Sequence, residues 1–233
     1  MKYHLPCAAN RQTQGFGESP EIYSKLKNPT DGHPAYDFGF TWNEAVPFIA
    51  RSFVYSKLNE GSKDPDKYTG LCTIAENPDG TIDEIIYGHG NLMVAEVGKT
   101  YEVGDTAILA GNRGMVFAGG RRITKDEKLK GSQAGTHLHL QKRPLKKVKK
   151  ITKRKHYLET AGGKFKKDGF YYEILDFDNG FRGCAPIQFN GKIARKEAPK
   201  VSYEQAVEDL KKGGLTGYIL VMALRVLARF HGR

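Results

Sequence analysis

Cysteine is scarce in these 233 residues: Cys7, Cys72 and Cys184 are three, odd in number and widely spaced. That excludes a disulfide framework or a CxxC metal site and leaves reduced, partly buried thiols in a chain made in the cytoplasm. Long apolar runs are missing as well. No stretch reaches the roughly 20 apolar residues that span a bilayer, so no transmembrane segment is expected. The opening MKYHLPCAANRQ has one early lysine but no apolar core of about seven residues, so no secretory signal peptide is expected either. There is no internal repeat, and no long helical periodicity before residue 200.

What is present is turn-forming residues and short β-type runs. Twenty-seven glycines and ten prolines punctuate segments such as AVPFIARSFVYSKL (45–58), GLCTIAE (70–76), TIDEIIYGHG (81–90) and TAILAG (106–111). Residues 1–141 therefore read as all-β and antiparallel. The hydrophobic content of 39% and the chain length are enough to bury a real core.

The formal charge of +11 is a local property. KRPLKKVKKITKRK (142–155) carries nine Lys/Arg and no acid; the rest of the chain has 28 basic and 26 acidic residues. This run reads as a basic linker and domain boundary. Its candidate partners are anionic envelope polymers; nucleic acid is disfavoured, because only Tyr157 supplies a nearby aromatic. Beyond it, KKDGFYYEILDFDNGF (166–181) has Asp-Gly and Asn-Gly turns bracketing an aromatic strand. Ser202 and Gln205 then form a capping box for a helix, and a second, largely apolar helix is expected over 217–230. The expected organisation is thus 1–141, a linker at 142–155, and a small α+β accessory region at 156–233 ending in helices. The last helix needs a surface to cover, against residues 156–200, another subunit, a larger assembly or a membrane surface, with packing or self-association favoured.

Chemistry gathers at the histidines. In AGTHLHLQ (134–141) an extended backbone sends His137 and His139 to one side and Leu138 and Leu140 to the other. The leucines anchor the segment while both imidazoles share one space, a geometry that suits a metal ion. DGHPAYDFGF (31–40) offers His33 and Asp37 as HxxxD, with Pro34 and the glycines favouring a turn or strand end over a helix. IIYGHGN (85–91) holds His89 between two glycines after an apolar strand.

The order HxxxD, YGH, HLH resembles the lysostaphin/LytM-type zinc metallopeptidases, which cut peptide bonds in bacterial peptidoglycan. TQGFGE (13–18), VPFIA (46–50) and VGKTYEVGDTAILAGNRG (97–114) are similar to other parts of that family's pattern, and the likeness covers about residues 12–141. The resemblance implies that His33, Asp37 and His139 bind one zinc ion per chain, with His89 and His137 as catalytic groups beside the open position. Two neutral imidazoles and one carboxylate would leave the ion with net positive charge to acidify water. It also implies a mainly β, antiparallel metallopeptidase domain acting on peptidoglycan peptides.

Several residues depart from the family pattern. Pro34 and Tyr36 are larger than usual within the first motif, and MVFAGGRRITKDEKLKGSQAG (115–135) is a long connection. Tyr36, Arg121 and Arg122, with Lys125, are candidates to border the substrate groove. A wall-cutting domain with no export signal suggests a bacteriophage protein, either a lysin released at lysis or a tail-associated component of the particle. The competing expectation is a structural or wall-binding virion protein that keeps the fold with little activity.

Overall fold

The computed structural model describes residues 3–26 and 29–195. The helices expected after residue 200 lie outside the described residues.

The alternating and turn-punctuated segments become strands of one large, mainly antiparallel sheet. Its spine is β5 (Ser52–Leu58), β6 (Gly70–Glu76), β7 (Ile82–Gly88) and β13 (His137–Val148), paired in that order. Two-residue β9 (Thr100–Tyr101) closes the outer edge of β5. On its other side β13 has two successive partners. Its first residues pair with β3 (Tyr36–Gly39), which in turn pairs with β2 (Gln12–Gln14). Its last residues pair with β17 (Phe170–Ile174), followed by β16 (Lys166–Lys167).

One face of this sheet carries the main core. Leu138, Leu140, Tyr87, Ile85, Leu71 and Phe38 are all fully buried there. Against them lies a small sheet of β4 (Ala45–Pro47), β10 (Thr106–Leu109) and β8 (Leu92–Met93). Burying a leucine side chain contributes about 1.5–3 kcal/mol, so Leu138 and Leu140 fix the register of β13 strongly. The opposite face holds a second cluster, with Tyr55, Cys72, Ile86, Leu145, Tyr172 and Ile174.

The basic run departs from the expected linker. Residues 142–148 continue β13, and Lys142–Leu145 pair with β7 while Leu145–Val148 pair with β17. The compact unit that contains the site extends to Arg195. The physical reason is that long basic side chains can lay their stems on the sheet and keep their charge at the surface. Arg143 is the inward-facing exception. It donates to Glu84, a fully buried carboxylate on β7 that also accepts from the Tyr55 hydroxyl. The chain ends of the unit are also tied: β1 (Tyr3–Leu5) pairs in parallel with β18 (Phe189–Ile193).

The long connection 115–135 is ordered by its own local signals. A hairpin of β11 (Phe117–Ala118) and β12 (Arg121–Arg122) leads into α2 (Lys125–Leu129), which follows the earlier short helix α1 (Pro20–Tyr23) in chain order. Thr124 and Glu127 form a reciprocal capping box at the start of α2. The hairpin β14 (Glu159–Thr160) and β15 (Gly163–Lys164) lies beyond β13.

Candidate functional site

Three distant segments converge on the sheet face opposite the main core. His33 comes from the loop before β3, Asp37 from β3, and His137 and His139 from the start of β13. His89 lies in the turn after β7. In β13 the histidines alternate with buried Leu138 and Leu140, as the sequence pattern requires. Asp37 is the direct cross-strand partner of His139. The loop that carries His33 is held by two backbone hydrogen bonds: Gly17 donates to the His33 carbonyl at 2.8 Å, and His33 donates to the Glu18 carbonyl at 2.8 Å. Only a glycine fits before His33, because a Cβ at Gly32 would lie 2.4 Å from the Gly17 carbonyl oxygen.

His89 has φ 63°, in the left-handed region where a side-chain-bearing residue is strained. Its backbone is pinned there: its amide donates to the Thr69 carbonyl at 2.9 Å and its carbonyl accepts from the Arg113 amide at 3.4 Å. The glycines on either side answer to space: a Cβ at Gly88 would lie 2.1 Å from the Tyr68 hydroxyl oxygen, and one at Gly90 would lie 3.1 Å from Ile108.

The hydrogen bonds of the imidazoles fix which nitrogens face inward. His33 Nδ1 lies 3.2 Å from the Gly15 carbonyl, His137 Nδ1 lies 2.8 Å from the Gly135 carbonyl, and His89 Nδ1 contacts the Arg113 carbonyl. A carbonyl only accepts, so each ring donates from Nδ1 and turns an Nε2 lone pair toward the site. His33 Nε2, Asp37 Oδ1 and His139 Nδ1 then meet at separations of 3.2, 3.3 and 3.0 Å. These spacings are close to the edge, roughly 3.3 Å, of a tetrahedron with bonds of about 2.0–2.1 Å to zinc. Three groups that all prefer to accept, packed this closely, fit a cation. The chemistry of the donor set therefore matches zinc. A second grouping, His89, His137 and His139, also brings three ring nitrogens within 4.8 Å of one another.

The electrostatics agree. Burial alone would push the Asp37 carboxyl up, but the close His139 and His33 ring nitrogens and the field of His137 outweigh it. The net result is a carboxyl well below its usual range. Burial, and then the neighbouring His137 and His139, push the His89 imidazole well down. Burial likewise lowers His139 against the opposing pull of Asp37. These directions favour an ionised Asp37 and neutral His89 and His139, the protonation states that metal ligation needs.

Beside these groups opens a cavity of about 550 Å3 reached by Asp37, His89, His137 and His139. Its walls are otherwise mostly apolar, with Ile22, Met115 and Phe117 exposing large side chains at its edge. The three groove candidates do not line it. Tyr36 alternates with Asp37 along β3, so its ring goes to the opposite face and packs edge-on against Phe189 at 5.6 Å. Arg121 is held in a two-pronged ion pair with Glu127, and Arg122 pairs with Asp66 at 2.9 Å. The long connection does reach the cavity, but through Met115, Val116, Phe117 and Gly120. Lys125 pairs with Asp64 at 3.1 Å and also faces away from it.

Two aromatic residues at the site escaped the sequence reading. Tyr23 lies 5.1 Å, ring to ring, from His33, and Tyr68 stands edge-on to His89 at 5.0 Å and to His139 at 6.1 Å. Neither belongs to a histidine motif, and Tyr68 sits in a polar loop, DPDKYTG, that shows no signal of a site.

No protein-family model matches this chain, and neither does any curated protein. Among solved structures it is similar to the catalytic domain of the antimicrobial peptidase lysostaphin from Staphylococcus simulans. The identity is 19% over 57% of this chain and 79% of that one, with a TM-score of 0.37. LytU is similar at 21% identity, covering 57% of this chain and 73% of that one, TM-score 0.38. A zinc-containing peptidase from Vibrio cholerae is similar at 17% identity over 61% of this chain and 34% of that one, TM-score 0.38.

Proposed function

We propose that this chain is a zinc-dependent endopeptidase that hydrolyses peptide bonds of bacterial cell-wall peptidoglycan. The observation that carries the reading is the convergence of His33 Nε2, Asp37 Oδ1 and His139 Nδ1 at 3.0–3.3 Å. The HxxxD and HLH motifs that supply these atoms, with YGH between them in order, support the choice of reaction and substrate. Bound there, zinc would polarise the scissile carbonyl and lower the pKa of water toward neutrality.

The chain's own residues supply the rest. Asp37 holds its second oxygen 3.5 Å from His137 Nε2, which keeps that imidazole directed at the site. His137 and His89 each have Nδ1 committed to a backbone carbonyl, leaving Nε2 as the nitrogen that takes or gives a proton. Their rings lie 4.5 Å apart, so one can accept the proton of the attacking water while the other serves the departing amine. The largely apolar walls limit competing water around the bond.

Two measurements test the reading together. Metal analysis should find one zinc per chain, and purified peptidoglycan should release new amino groups in a chelator-sensitive way. A chain that takes up no zinc after supplementation, or that binds zinc and releases no amino groups, defeats it.

A further inference from the structure

Strands β6, β7, β13 and β3 place Gly70, Gly88, His139 and Asp37 directly opposite one another in a single row across the sheet. Residues so opposed project to the same face. Two positions of that row bear the candidate metal-binding groups, and the next two have no side chain at all. Tyr68 fills the trough they leave. A Cβ at Gly70 would lie 3.2 Å from the ring's Cε1, and a Cβ at Gly88 would lie 2.1 Å from the hydroxyl oxygen. The phenol is therefore laid across two glycines with its hydroxyl over Gly88, the cross-strand partner of His139.

That hydroxyl is buried and has no hydrogen-bond partner among the described residues, while the side chain helps line the cavity. A buried tyrosine hydroxyl normally finds a partner, and leaving it without one is unfavourable. The surrounding backbone leaves little freedom to relieve this. Asn59 Nδ2 donates to the Tyr68 carbonyl at 2.7 Å, and the Gly114 amide donates to the Pro65 carbonyl at 2.9 Å. Lys128 of α2, with its side chain fully buried, reaches Asp66 at 2.6 Å and also donates to the Gly114 carbonyl. The long connection thus clamps the loop that delivers Tyr68.

We propose that Tyr68 is a further catalytic residue, whose hydroxyl donates a hydrogen bond to the scissile carbonyl oxygen as it becomes an oxyanion. This rests on the peptidase reading and deepens it. No proton is transferred; the phenol stays intact and the bond strengthens as negative charge develops. With the oxyanion served by Tyr68, both His89 and His137 are left to handle protons.

The decisive variant is Tyr68→Phe in the full chain, which keeps the ring over the glycines and removes only the hydroxyl. Metal content should be unchanged and the melting temperature equal or higher, because a hydroxyl without a partner is lost. The kcat for amino-group release from peptidoglycan should fall roughly 10²–10³-fold, as for other oxyanion donors. A second arm loads the chain with cobalt(II) and titrates its visible spectrum with inorganic phosphate, a tetrahedral oxyanion. Tyr68→Phe should weaken phosphate about tenfold, or about 1.4 kcal/mol, with cobalt affinity unchanged. Unaltered kcat together with unaltered phosphate affinity overturns the proposal. So does a fall in kcat accompanied by lost metal or a lowered melting temperature, which would make the ring structural. If wild-type chain leaves peptidoglycan uncut while the variant still weakens phosphate, the peptidase reading fails and the donor role stands.

Discussion

The two halves of β13 do opposite work on the same sheet. From His137 to Gln141 the strand alternates imidazoles with fully buried leucines, and its outward groups assemble the candidate metal centre. From Lys142 to Val148 four of seven residues are basic, and the strand is held by β7 and β17 with one buried charge pair, Arg143 with Glu84. In the first half the imidazoles crowd with Asp37 at a cavity, in groups that could hold a metal ion. In the second half the polar atoms are consumed by the fold. Polar groups crowded at a cavity mark function, and those consumed by the fold mark architecture.

The largest test acts on the first half. His139→Ala removes one of three candidate ligands and should abolish stable zinc binding. Peptidoglycan cleavage should then fall by several kcal/mol of barrier, a loss of roughly a thousandfold or more. The fold should persist, because Leu138 and Leu140 still bury the strand; circular dichroism and the melting temperature of the metal-free chain check that. Retained zinc in this variant would place the metal elsewhere and dissolve the contrast between the halves.

Glu84→Leu applies the matching cut to the second half. It leaves the Arg143 guanidinium facing a sheet with no counter-charge, and the Tyr55 hydroxyl without its acceptor. Breaking such a pair from one side costs about 3 kcal/mol, on the order of 10 °C in melting temperature for a unit of this size. Activity per folded molecule should be unchanged. If zinc affinity falls in step with stability, the strand couples its ends and the two halves are one device.

The contrast also explains what could be read in the sequence. His137 and His139 were legible because alternation with leucine is a local pattern, and His33, Asp37 and His89 because each sits in a short motif in a fixed order. The second half of β13 read as a linker because charge at most positions hides the period of two. Its cues were Leu145 and the lone Glu84 inside the otherwise apolar IIYG strand. Helix α2 announced itself in Thr124 and Glu127, a capping box overlooked within a supposed loop. Tyr68 could not be read locally: its place depends on Gly70 and Gly88, on two different strands, forming one trough. Tyr36, Arg121 and Arg122 were drawn toward the cavity by proximity in sequence, whereas strand alternation and local ion pairs turn them away.

Acid should separate the halves next. In the chelator-treated chain the folded His89 pKa lies below its unfolded value of about 6.5. The unfolded chain therefore binds more protons in the interval, so this contribution to stability is present above about pH 6.5 and is lost as pH falls through the folded value. Asp37 has the same sign lower down, its contribution present above about pH 3.9 and lost in stronger acid. Melting temperatures of the metal-free chain should fall from pH 7.5 to pH 5, and His89→Asn should flatten that first decline. An unaltered profile in His89→Asn would move the acid sensitivity out of the site.

The smallest effect is expected where the basic run leaves the sheet. Lys149, Lys150, Lys153 and Arg154 are exposed, in contrast to Arg143, Lys142 and Lys147, whose stems lie partly buried within β13. Replacing those four by glutamine removes charge without removing packing, so stability should stay within about 0.5 kcal/mol. Cleavage of short soluble wall peptides should be unchanged. Retention on intact walls should weaken and lose its salt dependence if these cations meet anionic envelope polymers, since exposed charges act through a field that salt screens. Lys142→Gln and Lys147→Gln supply the contrast: Lys147 pairs with Glu76 at 2.9 Å, and both stems cover the sheet, so melting should respond more than wall retention. Equal responses from both sets would mean the run acts as one patch and that its division at Val148 has no functional meaning.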